Sequence, residues 1–95
     1  MPRKGFDHEL DRVVELLNHD VRRAVMAFYV NEATTPARIS RTVDFDLPTL
    51  AYHTRVLEQA GALKSLGADS LDGSRQSFEA TELGILGMSK LSDEE

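Results

Sequence analysis

The stretch Asp46–Leu63, DLPTLAYHTRVLEQAGAL, decides how this chain is read. At about 100° per residue, Leu50, His53, Thr54, Leu57 and Ala60 fall on one face of a helix. Pro48, Ala51, Tyr52, Arg55 and Gln59 fall on the opposite face. One side suits a core. The other carries a small side chain, an aromatic ring, a guanidinium and an amide. Asp46 suits the N-cap, and Pro48 fits the first turn, where amide hydrogens lack helical partners. Gly61 suits the left-handed position just past the end. A strand is expected to follow.

Working upstream, Thr35-Pro36 marks another helix start, a hydroxyl cap followed by proline. That helix is expected to reach about Val43, with Ile39 and Val43 inward and Arg38 and Arg41 outward. Asp44-Phe45-Asp46 is then the turn between two helices, with Phe45 plugged into the core. Before it, Asp20 is expected to cap a helix to about Asn31, with Val21, Ala24, Val25 and Phe28 on its inner face. Met26 and Val30 lie on the other side, so cover is needed on two sides. Asp7 is expected to cap a first helix through about Leu17, with Leu10, Val13, Val14 and Leu17 as an apolar stripe.

Downstream of Gly61 the period changes. Leu63–Leu66 reads as a short strand and Gln76–Ala80 as its partner, with Asp72-Gly73 as a turn signal between them. Such a hairpin, directly after a helix-turn-helix pair, is a wing. Thr81 can cap a last helix from Glu82 to about Leu91. Gly84 and Gly87 cost that helix about 1 kcal/mol each relative to Ala, so packing must hold it, and a homodimer interface is the obvious source. The expected architecture is α+β, mainly α: a winged helix-turn-helix in the order α-α-α-α-β-β-α. One domain spans residues 6–91, between a loose tail at 1–5 and a frayed acidic end at 92–95.

The run PTLAYHTRVLEQAGAL resembles the second helix of ArsR-type winged helix-turn-helix regulators, in the branch where Tyr-His precedes Arg-Val-Leu and Ala-Gly. The resemblance extends from Leu17 to about Gly84. It implies double-stranded DNA as partner, with contacts from Leu47, Pro48, Thr49, Ala51, Tyr52 and Arg55. Proteins of this type often carry Ser and Gln in the first turn, where this chain has Asp46, Leu47 and Pro48.

Arg can hydrogen-bond guanine edges or phosphate, and Tyr can donate to phosphate. Arg38 and Arg41 on the preceding helix, and Arg75 near the wing tip, are further candidates for phosphate. Arg22-Arg23 can reach flanking phosphates or pair with acids of the first helix. His53 sits on the inward flank, so a packed histidine bonded to nearby backbone is expected rather than a metal ligand. No metal site is expected. No cofactor is expected either.

Composition sets the limits. Ninety-five residues suggest one domain. The absence of cysteine rules out a disulfide framework and a zinc ribbon, and removes thiolate ligands for metal sensing. No glycine-rich phosphate loop, HExxH or nucleophile–base pair is present, so an enzyme is not expected. No apolar run approaches the ~20 residues that span a bilayer, and MPRKGFDHE lacks a signal-like stretch; a soluble, cytoplasmic protein is the expectation. The net charge of −5 is unusual for a DNA binder. Between Pro36 and Lys64, however, Arg38, Arg41, Arg55 and Lys64 stand against Asp44, Asp46 and Glu58, a balance of +1. The acid lies mostly elsewhere.

The expected function is sequence-specific DNA binding by a homodimeric transcriptional regulator. Its fourth helix, about Leu47–Ala60, would lie in the major groove and its wing, about Leu63–Ala80, beside it, with the first and fifth helices forming the dimer interface. The rival is a winged-helix module whose acidic surface binds another protein and which has no DNA binding of its own.

Overall fold

A computed structural model describes residues 4–67 and 76–94. Its elements are α1 (Lys4–Leu17), α2 (Asp20–Asn31), α3 (Pro36–Ser40), α4 (Leu47–Gln59), β1 (Leu63–Gly67), β2 (Ser77–Ala80) and α5 (Glu82–Glu94). This is the winged helix-turn-helix order. β1 and β2 pair antiparallel, Leu63 opposite Ala80 and Ser65 opposite Phe78, with an irregularity between Ser65 and Gly67. No helix among the described residues is long and apolar enough to cross a membrane.

The boundaries follow from local chemistry. Thr35 caps α3 by accepting from the Arg38 amide at 3.1 Å, and Asp46 caps α4 by accepting from the Thr49 amide at 3.2 Å. At the far end of α4 the amide of Gly61 donates to Glu58 (3.0 Å) and that of Ala62 to Leu57 (2.9 Å). That pair of bonds is a Schellman closure, and it requires the φ of +88° that Gly61 adopts. The Thr81 hydroxyl accepts from the Gly84 amide at 3.1 Å and donates to the Gly61 carbonyl at 2.6 Å. One side chain thus starts α5 and closes the end of α4.

Several boundaries differ from the sequence expectation. α1 begins at Lys4, before Asp7. α2 is capped by His19, not Asp20: His19 has the extended backbone of a cap, and its Nδ1 accepts from the Arg22 amide at 3.4 Å. α3 stops at Ser40, because the Arg41 and Thr42 amides turn back to Arg38 and Ile39. Thr34 forms a two-bond bridge to Phe78 (3.1 and 2.9 Å). The hairpin therefore has a third, one-residue neighbour, too short to leave a periodic signal. α5 runs to Glu94 rather than ending near Leu91.

The core comprises Val13 and Leu17 of α1, Val25, Met26 and Tyr29 of α2, Ile39 of α3, Leu50 and Leu57 of α4, Ala62, Leu63, Phe78 and Leu83. Phe45 is half-buried against it. On α2 the buried face is Val25, Met26 and Tyr29, while Ala24 is exposed, Val21 and Phe28 are only partly covered, and Val30 faces solvent. The reading from apolar spacing missed this because α2 is covered by several elements. Met26 approaches the start of α5 at Gly84, and Tyr29 meets β2 and α4.

The two glycines of α5 are points of close approach. A methyl group at Gly87 would lie 2.7 Å from Val13 Cγ1 of α1, and one at Gly84 would collide with the Ala62 carbonyl and Met26. The packing that holds this glycine-bearing helix is thus supplied within the chain.

Candidate nucleic-acid interface

α4 is anchored entirely by its back. Leu50 and Leu57 are fully buried, and Thr54 and His53 are 1% and 6% exposed. The Thr54 hydroxyl shares a 3.0 Å hydrogen bond with the Tyr29 hydroxyl, and the Tyr29 ring meets Phe78 edge-on at 6.1 Å. Burial pushes the Tyr29 phenol up to about 12, against the lowering effect of the Thr54 bond, so it stays neutral and can serve as a fixed polar pin. Sequence reasoning missed Tyr29. Its signal is the helical spacing that puts Tyr29 on one face with Val25 and Met26.

The front of α4 is open. Tyr52 is 59% exposed, and Pro48, Arg55 and Gln59 are exposed beside it. Leu47, Thr49 and Ala51 are half-buried along its edges. Ala51 and Arg55 line a groove of about 150 Å3 with Pro36, Glu58, Gln59, Gln76 and Phe78. The groove runs from the start of α3 past α4 to the base of the hairpin. It adds Gln59 and Gln76 to the polar groups beside Arg55, and Gln76 is held by a hydrogen bond to Ser65. Only the folding of the hairpin base against α4 brings Gln76 here.

The remaining candidates are more dispersed. Arg41 is exposed at the end of α3. Arg38 is exposed but lines a different groove, with Phe28, Asn31, Glu32 and Thr34. Arg75 and the wing tip lie outside the described residues. Lys64 is engaged in a 3.3 Å ion pair with Glu79 across the hairpin.

The first turn of α4 is less open to an anion than a bare helix start. The Thr49 hydroxyl and amide hold the Asp46 carboxyl below the usual carboxylate range, so this fully exposed cap is ionised. The Thr49 amide already has its acceptor.

Arg22 and Arg23 both reach carbonyls at the end of α1. Arg22 Nη1 donates to the Leu16 carbonyl at 3.1 Å and Arg23 Nε to the Leu17 carbonyl at 3.3 Å. Two guanidiniums thus satisfy the free carbonyls at the C-terminus of α1, where the helix dipole favours positive charge. Arg22 Nε also donates to His53 Nδ1 at 3.2 Å. His53 is therefore packed, as its inward flank implied, but its partner is a side chain of α2 and not backbone. Burial, then the Arg22 charge and His19, hold its pKa below the ordinary histidine value.

No protein-family profile matches the chain, and no curated protein matches it. Solved structures do. An ArsR-like transcriptional regulator from Rhodococcus sp. RHA1 superposes with a TM-score of 0.70 at 14% identity, over 95% of this chain and 81% of that one. A transcriptional regulator homologue from Pyrococcus horikoshii OT3 gives 0.70 at 25% identity, over 90% and 88%. A PadR family transcriptional regulator from Eggerthella lenta DSM 2243 gives 0.61 at 19% identity, over 88% and 83%. With α4 backed by α2 and followed by the hairpin, the chain is a winged helix-turn-helix protein with the fold of ArsR-like transcriptional regulators.

Proposed function

We propose that the protein is a DNA-binding transcriptional regulator that inserts the front of α4 into the major groove. One observation carries this reading: α4 buries its whole back and leaves Tyr52, Arg55 and Gln59 uncovered. A helix held that way projects as a rigid ridge, and a major groove about 12 Å wide admits one. The solved structures that share the fold are described as transcriptional regulators. Arg55 supplies the base-edge or phosphate donor and Tyr52 a phosphate donor or base contact. Leu47, Pro48, Thr49 and Ala51 form the surrounding surface. Arg41, Arg38 and Arg75 serve flanking phosphates.

The reading includes a homodimer through α1 and α5. Ile85 and Leu86, 47% and 37% exposed, offer apolar surface on α5. Two copies would address half-sites roughly 34–36 Å apart.

The test is binding of duplex DNA as a function of salt. Binding should fall steeply as salt rises, with a slope of about 0.9 per phosphate contact. Arg55→Ala should weaken specific binding by about 1–3 kcal/mol, roughly fivefold to 150-fold, with the thermal transition unchanged. Light scattering should report a dimer.

The second reading, a module that binds another protein, is favoured by the ionised Asp46 cap at the leading end of α4 and by the net charge of −5. It prevails if neither low salt nor selected genomic fragments yield a complex.

A further inference from the structure

His53 and Arg22 connect three helices at a point directly behind the exposed front of α4. His53 belongs to α4, and its ring lies edge-on to Tyr52 with centroids 5.1 Å apart. Arg22 belongs to α2, and the same guanidinium grips the last turn of α1 through the Leu16 carbonyl. His19, the cap of α2, stacks at a tilt on His53 with centroids 5.0 Å apart, and accepts the Arg22 amide. A guanidinium can only donate. The 3.2 Å bond from Arg22 Nε therefore assigns His53 Nδ1 as an unprotonated acceptor, with the ring proton on Nε2.

We propose that the Arg22–His53 bond is a proton-sensitive latch that fixes the pose of α4 relative to α1, with Arg22 as its positioning residue. Adding a proton to Nδ1 converts the acceptor into a donor that faces another donor, and sets a positive ring against a positive guanidinium. The bond is lost in that state, and α4 is released from the arm that ties it to α1. The groups facing His53 are Arg22 from α2, His19 from the cap of that helix, and Tyr52 from α4 itself. Among the described residues, α1 takes part through the Leu16 carbonyl that Arg22 holds. The charges acting on the ring, Arg22 and His19, both disfavour its protonation. The latch is therefore closed at neutral pH and opens on acidification. This inference rests on the reading of α4 as the DNA-contacting helix.

The test has two arms that fail separately. In the first, affinity of the full chain for duplex DNA is measured from pH 8 to pH 5 at constant ionic strength. Affinity should fall below the His53 pKa by up to about tenfold per pH unit, the limit for one linked proton. His53→Gln keeps an acceptor for Arg22 without a titrating ring; it should bind at neutral pH and lose this slope. His19→Asn should retain it. An unchanged slope in His53→Gln, or its loss in His19→Asn alone, overturns the latch.

In the second arm, the side-chain resonances of unmodified protein are followed by NMR without DNA. The Arg22 Nε–H signal should move with the same midpoint as the His53 ring, below that of an exposed histidine. An Arg22 signal that ignores the His53 titration overturns the latch even where His53→Gln does not fold. Absence of DNA binding at every pH overturns the DNA reading alone, and the latch is then judged by the resonances.

Discussion

α4 and α5 are both thirteen residues long, and they solve opposite problems. α4 begins with a carboxylate cap and a proline, ends in a glycine closure, and packs through one side. α5 carries two glycines, and neighbours press into it where those glycines sit. Val13 and Leu17 of α1 approach at Gly87, and Ala62 and Met26 at Gly84. α4 has local signals at both ends, the Asp46 cap and the Gly61 closure, and is held from behind, while α5 has one at its start, the Thr81 cap. α5 is shaped by what surrounds it.

The contrast can be broken most directly at the back of α4. Leu57→Ala should lower stability by about 2–5 kcal/mol, while Ser89→Ala at an exposed position of α5 should change it by no more than about 0.5 kcal/mol. Equal losses in urea denaturation would show that α4 is not the better-anchored helix.

Next in size is Gly84→Ala. Helix propensity alone favours alanine by about 1 kcal/mol. Overpacking typically costs about 1–3 kcal/mol, and here the obstacle is a backbone carbonyl. A net loss is expected. A rise in melting temperature would mean that propensity, not close approach, governs α5.

The third concerns His53. Its folded-state pKa is lowered, so the unfolded chain binds a proton more readily. Stability should thus decline as pH falls below about 6.5, the unfolded value, and level off beneath the folded pKa. The slope is at most about 1.4 kcal/mol per pH unit, and His53→Gln should remove this part of the profile. The same decline in that variant would assign it to other groups.

The smallest effect belongs to the front of α4. Tyr52→Ala and Arg55→Ala should each alter stability by about 0.5 kcal/mol or less, even as DNA binding suffers. A larger loss would mean that the front face is structural.

Much of α4 is legible without coordinates. Asp46, Pro48 and Gly61 mark its ends through local chemistry, and the division between Leu50-His53-Thr54-Leu57 and Tyr52-Arg55-Gln59 needs only the helical period. The hairpin and the Thr81 cap are legible for the same reason. What escapes is set by tertiary contact. Tyr29 is buried because Thr54 and Phe78 meet it. His19 displaces Asp20 as a cap because its own backbone is extended. Arg22 turns from α1 acids to an α1 carbonyl and His53. Gln76 joins Arg55 across a groove that forms only when the hairpin base folds against α4. Only Tyr29 has a spacing to announce it, three and four residues beyond Met26 and Val25.

The bridge between Thr34 and Phe78 bears on the order of assembly. It joins positions separated by α3, α4 and the first strand, so a refolding chain must close a long loop before either bond can form. The hairpin seam is then among the last parts of the molecule to gain protection. Pulse-labelled amide exchange should show the Phe78 N–H becoming slow after the amides in the middle of α4, and earlier protection at Phe78 would reverse that sequence of events.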